Sequence, residues 1–318
     1  MTRPGTDLPQ LGDQLFLTDG GIETFLIFQQ RIELPHQAAY TLLATESGTE
    51  HLRAYFERYL AVAADFGTGF VLESATWRAN PDWAERLGTS PHDLMALNRK
   101  SIDLLASLRE RWASRVAPIV ISGCVGPRAD AYRPEEIMTE AEAERYHATQ
   151  IGAFRGTAAD QVSGITITNV PEAIGIVRAA GAAGLPAVIS FTVETDGTLP
   201  TGPALAEAIA RVDEATGGGP AYYMVNCAHP THVEPALARA GSWTRRLRGL
   251  RANASSKSHA ELDESPELDE GHPPQLGSEY RSIRDRLPQV TVLGGCCGTD
   301  HRHVRAVAEA CVRGVDRR

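Results

Sequence analysis

Short apolar runs of five to seven residues recur along the chain, each bounded by glycine, proline or polar residues. They lie at 15–19 (LFLTD), 70–76 (FVLESAT), 118–124 (PIVISGC), 161–167 (QVSGITI), 187–193 (AVISFTV), 222–227 (YYMVNC), 247–253 (LRGLRAN) and 290–295 (VTVLGG). Between most of them, apolar positions return at helical spacing over 49–66, 91–114, 139–157, 171–183 and 203–216. This alternation of strands and crossover helices predicts a parallel α/β fold. Eight units in 318 residues suit one closed (β/α)8 TIM-type barrel, taken as a single domain over 1–318, better than an open doubly wound sheet.

One segment breaks the rhythm. Residues 252–278 show little apolar periodicity, and six of the ten residues from 261 to 270 are acidic. The pattern predicts a long irregular acidic loop after the seventh strand and a short helix near 279–287. Loops of this length inside a compact domain are usually functional or disordered, so a solvated loop and an active-site lid both stay open.

Charge and cysteine usage narrow the partners. With 31 Lys and Arg against 40 Asp and Glu, the net charge is −9, and no basic run is interleaved with aromatics. The basic footprint that nucleic acid requires is missing. The first residues carry no apolar signal core, and no run of 18 apolar residues suggests a membrane span. Five cysteines, an odd number, fit a reducing cytoplasm better than a disulfide framework. The oligomeric state is left open, a homo-oligomer included.

In a parallel barrel, chemistry gathers at the C-terminal ends of the strands. Asp19 ends the first predicted strand, Glu73 and Thr76 lie near the end of the second, Cys227 ends the sixth, Asn253 the seventh, and Cys296 and Cys297 follow the eighth. Cys227 is far along the chain from the Cys296–Cys297 pair, unlike a C-x-x-C knuckle. In a closed barrel, however, only one strand separates the sixth from the eighth. Three soft thiolates favour Zn²⁺, and three protein ligands leave one tetrahedral corner open, the pattern of catalytic zinc. Gly294, Gly295 and Gly298 permit the irregular backbone that two adjacent ligands need.

Competing readings are three buried small side chains or a redox pair that gives Cys227 no role. Cys124 and Cys311 read as core. His229, His301 and His303 read as surface or cap residues, with a place beside the metal as the alternative.

A zinc ion with three thiolates carries net charge −1 and is a poor Lewis acid for hydrolysis. It suits a thiol substrate, whose proton coordination removes. A free thiol with pKa near 8.5 would be only slightly ionised at neutral pH.

At LTDGG (Leu17–Gly21), VNC (Val225–Cys227) and GGCCGT (Gly294–Thr299) the chain resembles the homocysteine S-methyltransferase family, nearly end to end and in the same order. The resemblance implies a (β/α)8 barrel, zinc on Cys227, Cys296 and Cys297, and methyl transfer to homocysteine, giving methionine. It implies that Asp19 helps bind the amino group, with Gly20 and Gly21 allowing close backbone approach.

One departure is plain. Family members usually carry a glutamate after the fourth strand, where SGITITN places Ile165 or Thr166. Glu73 or Glu194 would then inherit the amino group, and Asn253 would hydrogen-bond substrate or loop. The departure keeps open another thiol or selenol acceptor, or a zinc-binding thiol sensor on the same scaffold. Among donors, betaine would need an aromatic cage, for which Trp77, Trp83, Tyr40 and Tyr132 are candidates. The tryptophan that follows the first strand in betaine-using relatives has no clear counterpart, so sulfonium donors such as S-methylmethionine or S-adenosylmethionine are preferred. No G-x-G-x-x-G loop marks a Rossmann-type nucleotide site.

Overall fold

The structure is a computed structural model describing residues 8–129, 131, 137–263 and 267–312. Eight parallel strands close into a barrel in sequence order: β1 (Phe16–Leu17), β2 (Gly69–Glu73), β3 (Ile119–Val125), β4 (Gln161–Ile167), β5 (Ala187–Phe191), β6 (Pro220–Asn226), β7 (Leu247–Ala252) and β8 (Val292–Gly295). Closure is the β1–β8 pairing, with Phe16 opposite Val292 and Leu17 opposite Leu293. The helices are α1 (Ile22–Thr24), α2 (Glu46–Phe66), α3 (Pro81–Arg86), α4 (Pro91–Trp112), α5 (Glu140–Phe154), α6 (Val170–Ala183), α7 (Leu205–Thr216), α8 (Pro230–Leu237), α9 (His259–Asp263), α10 (Pro273–Arg286) and α11 (His301–Cys311).

Local chemistry sets the helix ends. Thr139 and Glu142 form a reciprocal capping box on α5, and Asn169 accepts from the Glu172 N–H at the start of α6. Gly67, Gly184 and Gly217 close α2, α6 and α7 in the left-handed conformation. The helix expected near 279–287 begins earlier, at Pro273. His272 caps it by accepting from the Gln275 N–H at 3.3 Å, and the paired prolines occupy its first turn. The long acidic segment also carries one short helix, α9.

Alternation along the strands divides the core. Phe70, Leu72, Leu250 and Leu293 face the helices in the larger cluster. Phe16, Val71, Val120, Ile165, Val188, Met224 and Val292 fill the barrel. Below the site this filling turns polar: Gln10 Nε2 donates to Gln161 Oε1 at 2.6 Å, Gln161 Nε2 donates to Ser163, and Ser163 pairs with Ser122 at 2.7 Å. No described helix is long and apolar enough to cross a membrane.

Candidate active site

Three sulfurs meet at the C-terminal mouth of the barrel. The Sγ atoms of Cys227, Cys296 and Cys297 all lie within 4.8 Å of one another. Cys227 Sγ is 3.6 Å from Cys297 Sγ, well beyond a disulfide bond of about 2.05 Å. Tetrahedral bonds of about 2.3 Å to one zinc ion would set sulfur–sulfur distances of about 3.8 Å. The donor set therefore fits a single soft cation.

The backbone aims these side chains. Cys227 follows β6 with φ +55°, a left-handed conformation that a non-glycine residue rarely adopts. Its carbonyl accepts from Asn253 Nδ2 at 3.0 Å and from His259 Nε2 at 2.6 Å. After β8 the chain turns through Cys296–Thr299, with the Thr299 N–H and hydroxyl both bonding the Cys296 carbonyl. Of the three glycines flanking the pair, only Gly298 needs positive φ, at +78°.

The strain expected of the glycines thus sits largely on Cys227. His259 Nδ1 also pairs with Glu194 Oε1 at 3.1 Å. Burial opposes protonation of His259, but the Glu194 carboxylate and the Cys227 carbonyl outweigh it and raise its pKa. Removing that donor in His259→Ala is expected to weaken metal binding about tenfold, as read by competition with a chelating dye. His259→Gln, which keeps an N–H near the same place, should recover most of it.

Within the thiol cluster, Cys296 ionises more readily than Cys227, whose pKa is raised by its hydrogen bonds to the other two thiols and by burial. Hydrogen bonds from Cys227 and Cys297 draw the Cys296 pKa well below the usual thiol value, with Arg251 and Asn226 assisting. Asn226 Nδ2 reaches Cys296 Sγ at 3.7 Å and donates to Thr166 Oγ1 at 2.8 Å. Thr166 itself has φ +61° and returns its N–H to Asn226 Oδ1.

The cysteines open onto a cavity of about 340 Å³ that Asp19, Gly20, Gly21, Glu23, Glu73, Trp77, Arg78, Ile165, Thr166 and Arg251 also line. Leu262, Glu267, Leu268 and Asp269 complete its wall, so the acidic segment after β7 forms part of the site. Burial raises both Glu73 and Glu23 to about 7. Glu73 Oε2 is buried with no hydrogen-bond partner. Burial also pushes Asp19 up, against the pull of Arg251 and the Tyr55 hydroxyl. Arg251 Nη2 bonds Asp19 Oδ1 at 2.7 Å, and both side chains are buried.

The expected site residues divide in two. Asp19, Gly20, Gly21, Glu73 and the three cysteines share the cavity wall. Thr76 instead ties β2 to β3 through its bond to the Cys124 carbonyl at 2.7 Å. Glu194 is committed to His259 and Asn253 to the Cys227 carbonyl. Cys124 lines the cavity, and Cys311 is core. His229 faces Glu279 at 3.2 Å, and His303 contacts Asp300 at the start of α11.

Among the described aromatic candidates, the faces of Trp77 and Trp83 meet a cation of the chain's own. The Arg78 guanidinium lies 4.4 Å from the Trp77 ring centre and 4.0 Å from that of Trp83. Tyr40 is buried with its hydroxyl on Thr89, and Tyr132 lies outside the described residues.

Gly21 illustrates a close approach of a different kind from the one expected. A Cβ there would meet the Cys296 carbonyl oxygen at 2.5 Å, so the glycine makes room for a ligand-bearing backbone. Gly21→Ala is expected to displace Cys296 and lower metal affinity about tenfold or more. An unchanged metal-to-protein ratio during chelator titration would contradict that.

The fold and these sulfurs define a TIM-barrel protein with a three-cysteine site able to hold a metal. The chain belongs to the homocysteine S-methyltransferase family, whose sequence model matches residues 16–311, and is an enzyme of that family. Among solved structures, the metallated form of the homocysteine methyltransferase MmuM from Escherichia coli superposes with TM-score 0.73 at 20% identity, covering 93% of this chain and 96% of that one. The oxidized form of the same protein gives TM-score 0.75 at 19% identity, covering 93% and 95%. A search of the curated proteins finds no match.

Proposed function

We propose that the chain transfers a methyl group from a sulfonium donor to the thiol of homocysteine, with zinc held by Cys227, Cys296 and Cys297. The observation that carries the reading is the convergence of these three sulfurs, within 4.8 Å of one another, on a cavity with charged walls. Three soft thiolates and one unfilled corner favour zinc among common cations. When bound, zinc supplies a site where a substrate thiol loses its proton at neutral pH and stays nucleophilic.

The chain's own residues select and orient the substrates. Glu73, whose buried Oε2 lacks a partner, accepts the homocysteine ammonium; an ion pair there would answer the desolvation that now raises its pKa. Ile165, 7% exposed on the cavity wall, offers the acceptor only apolar contact. Arg78 takes the tryptophan faces that a quaternary ammonium would need, which favours a sulfonium donor over betaine. Leu262 and Leu268 help keep water from the transferring methyl.

The test is a donor screen. Zinc-loaded protein is incubated with homocysteine and, separately, S-methylmethionine, S-adenosylmethionine or betaine, and methionine is read by mass spectrometry. Methionine is expected with a sulfonium donor and not with betaine. Absence of product with every donor, at one bound zinc per chain, would overturn the proposal.

A further inference from the structure

A buried arginine inside a barrel needs a reason. Arg251 occupies an inward position of β7, between the outward Leu250 and Ala252, at a level where the strands give way to the cavity. A full charge there is costly unless paired. Nη2 bonds Asp19 at 2.7 Å, and Nε donates to the Gly295 carbonyl at 3.2 Å. The remaining nitrogen, Nη1, has no hydrogen-bond partner among the described residues, although the side chain forms part of the cavity wall.

The surrounding charge makes that nitrogen useful. Asp19, Glu23 and Glu73 are all acidic, and they share the wall with three cysteines. An amino acid entering this cavity brings a carboxylate into a negative field. A thiol amino acid bound through its sulfur has only a short chain between sulfur and head group, so its carboxylate must find a cation close to the cysteines. Arg251 is such a cation, and Cys296 is among the charges that act on it.

We propose that Arg251 is a specificity residue that anchors the α-carboxylate of the acceptor through Nη1, while Asp19 serves as the counter-ion that holds the guanidinium in place. This rests on the acceptor being a thiol amino acid, as proposed above. It changes the part expected of Asp19, whose Oδ1 is engaged by Arg251 and whose Oδ2 accepts from the Tyr55 hydroxyl at 3.0 Å. The amino-acid head is then read by one cation and one acid: Arg251 takes the carboxylate and Glu73 the ammonium.

The experiment compares homocysteine with its decarboxylated and deaminated analogues, by calorimetry on the zinc-loaded protein. In the wild type, losing the carboxylate should weaken binding about 10- to 100-fold, the usual worth of a hydrogen bond to a charged group. In Arg251→Met that difference should collapse to near unity, while the penalty for losing the amino group persists. Arg251→Lys keeps a cation for Asp19 and so guards against misfolding; it should show an intermediate ratio, because a point charge lacks the guanidinium fork. Circular dichroism and metal content confirm that each variant is folded.

An unchanged carboxylate preference in both variants would make the arginine purely structural and overturn the proposal. So would a collapse on Arg78→Met instead, which would move the anchor to Arg78. If the wild type binds homocysteine no better than the decarboxylated analogue yet methylates it, this inference fails alone. If it binds and methylates none of the three, the acceptor assignment fails and takes this inference with it.

Discussion

Cys227→Ser is expected to abolish stoichiometric zinc binding and to lower methyl transfer by at least about 100-fold, since changing even the partners of metal ligands commonly costs 10- to 100-fold. Serine is nearly isosteric but offers a harder, far less acidic donor, so the remaining pair Cys296–Cys297 would have to hold the ion alone. The backbone should tolerate the exchange. The left-handed conformation of residue 227, at φ +55°, is held by bonds to its main-chain carbonyl from Asn253 and His259, which serine leaves intact. The variant should therefore melt close to the metal-free wild type while losing the added stability that zinc confers by mass action. Zinc by mass spectrometry and melting with and without a chelator read both effects. A variant with wild-type zinc content and turnover would remove Cys227 from the site.

The barrel was legible because its signals are local and repeated. All eight strands fall on the apolar runs, and Gln161–Ile167 is reproduced end to end. The strand ends are less legible, because the chain turns away from the sheet where it builds the site. Only Phe16–Leu17 pair in β1, before Asp19 bends into the mouth. The three cysteines were legible from identity and from their places at strand ends. What stayed hidden depends on register and on tertiary pairing. Arg251 points inward only because LRGLRAN sits with Leu250 outward, and a shift of one residue would reverse that. Alternation along the strand carries that signal, but it does not by itself say which of the two faces holds the arginine.

His259 lies in a segment without periodicity, and nothing local ties it to a carbonyl more than thirty residues away. The partner of the two tryptophans was easier to read. In WRANPDW the arginine between the two tryptophans was already a cation for their faces.

Glu73→Gln is expected to separate stability from function. Glu73 is 4% exposed, and its carboxyl is raised from 4.5 to about 7, chiefly by burial. Between those values the native state holds a proton that the unfolded chain has released, so stability falls as pH rises through that window and the full cost remains above it. Glutamine carries no such cost. The variant should match the wild type near pH 4 and exceed it at pH 8 by up to about 3 kcal/mol, at about 1.4 kcal/mol per pKa unit.

Homocysteine binding should move the other way. The wild-type site becomes an acceptor for the substrate ammonium only once Glu73 ionises, so affinity should rise from pH 6 to pH 8. In Glu73→Gln affinity should be lower by about tenfold or more at pH 8, the scale of a lost charge-assisted hydrogen bond, and should keep only the shallower rise that release of the thiol proton on binding zinc gives to both proteins. The deaminated analogue, with no ammonium to place, should bind both proteins equally at pH 8 and so serves as the control. Denaturant melts and calorimetry at the two pH values read both halves. If Glu73→Gln kept the wild-type pH profile for homocysteine, the ammonium would be held elsewhere, and the buried acid would be a cost to the fold without a role in recognising the acceptor.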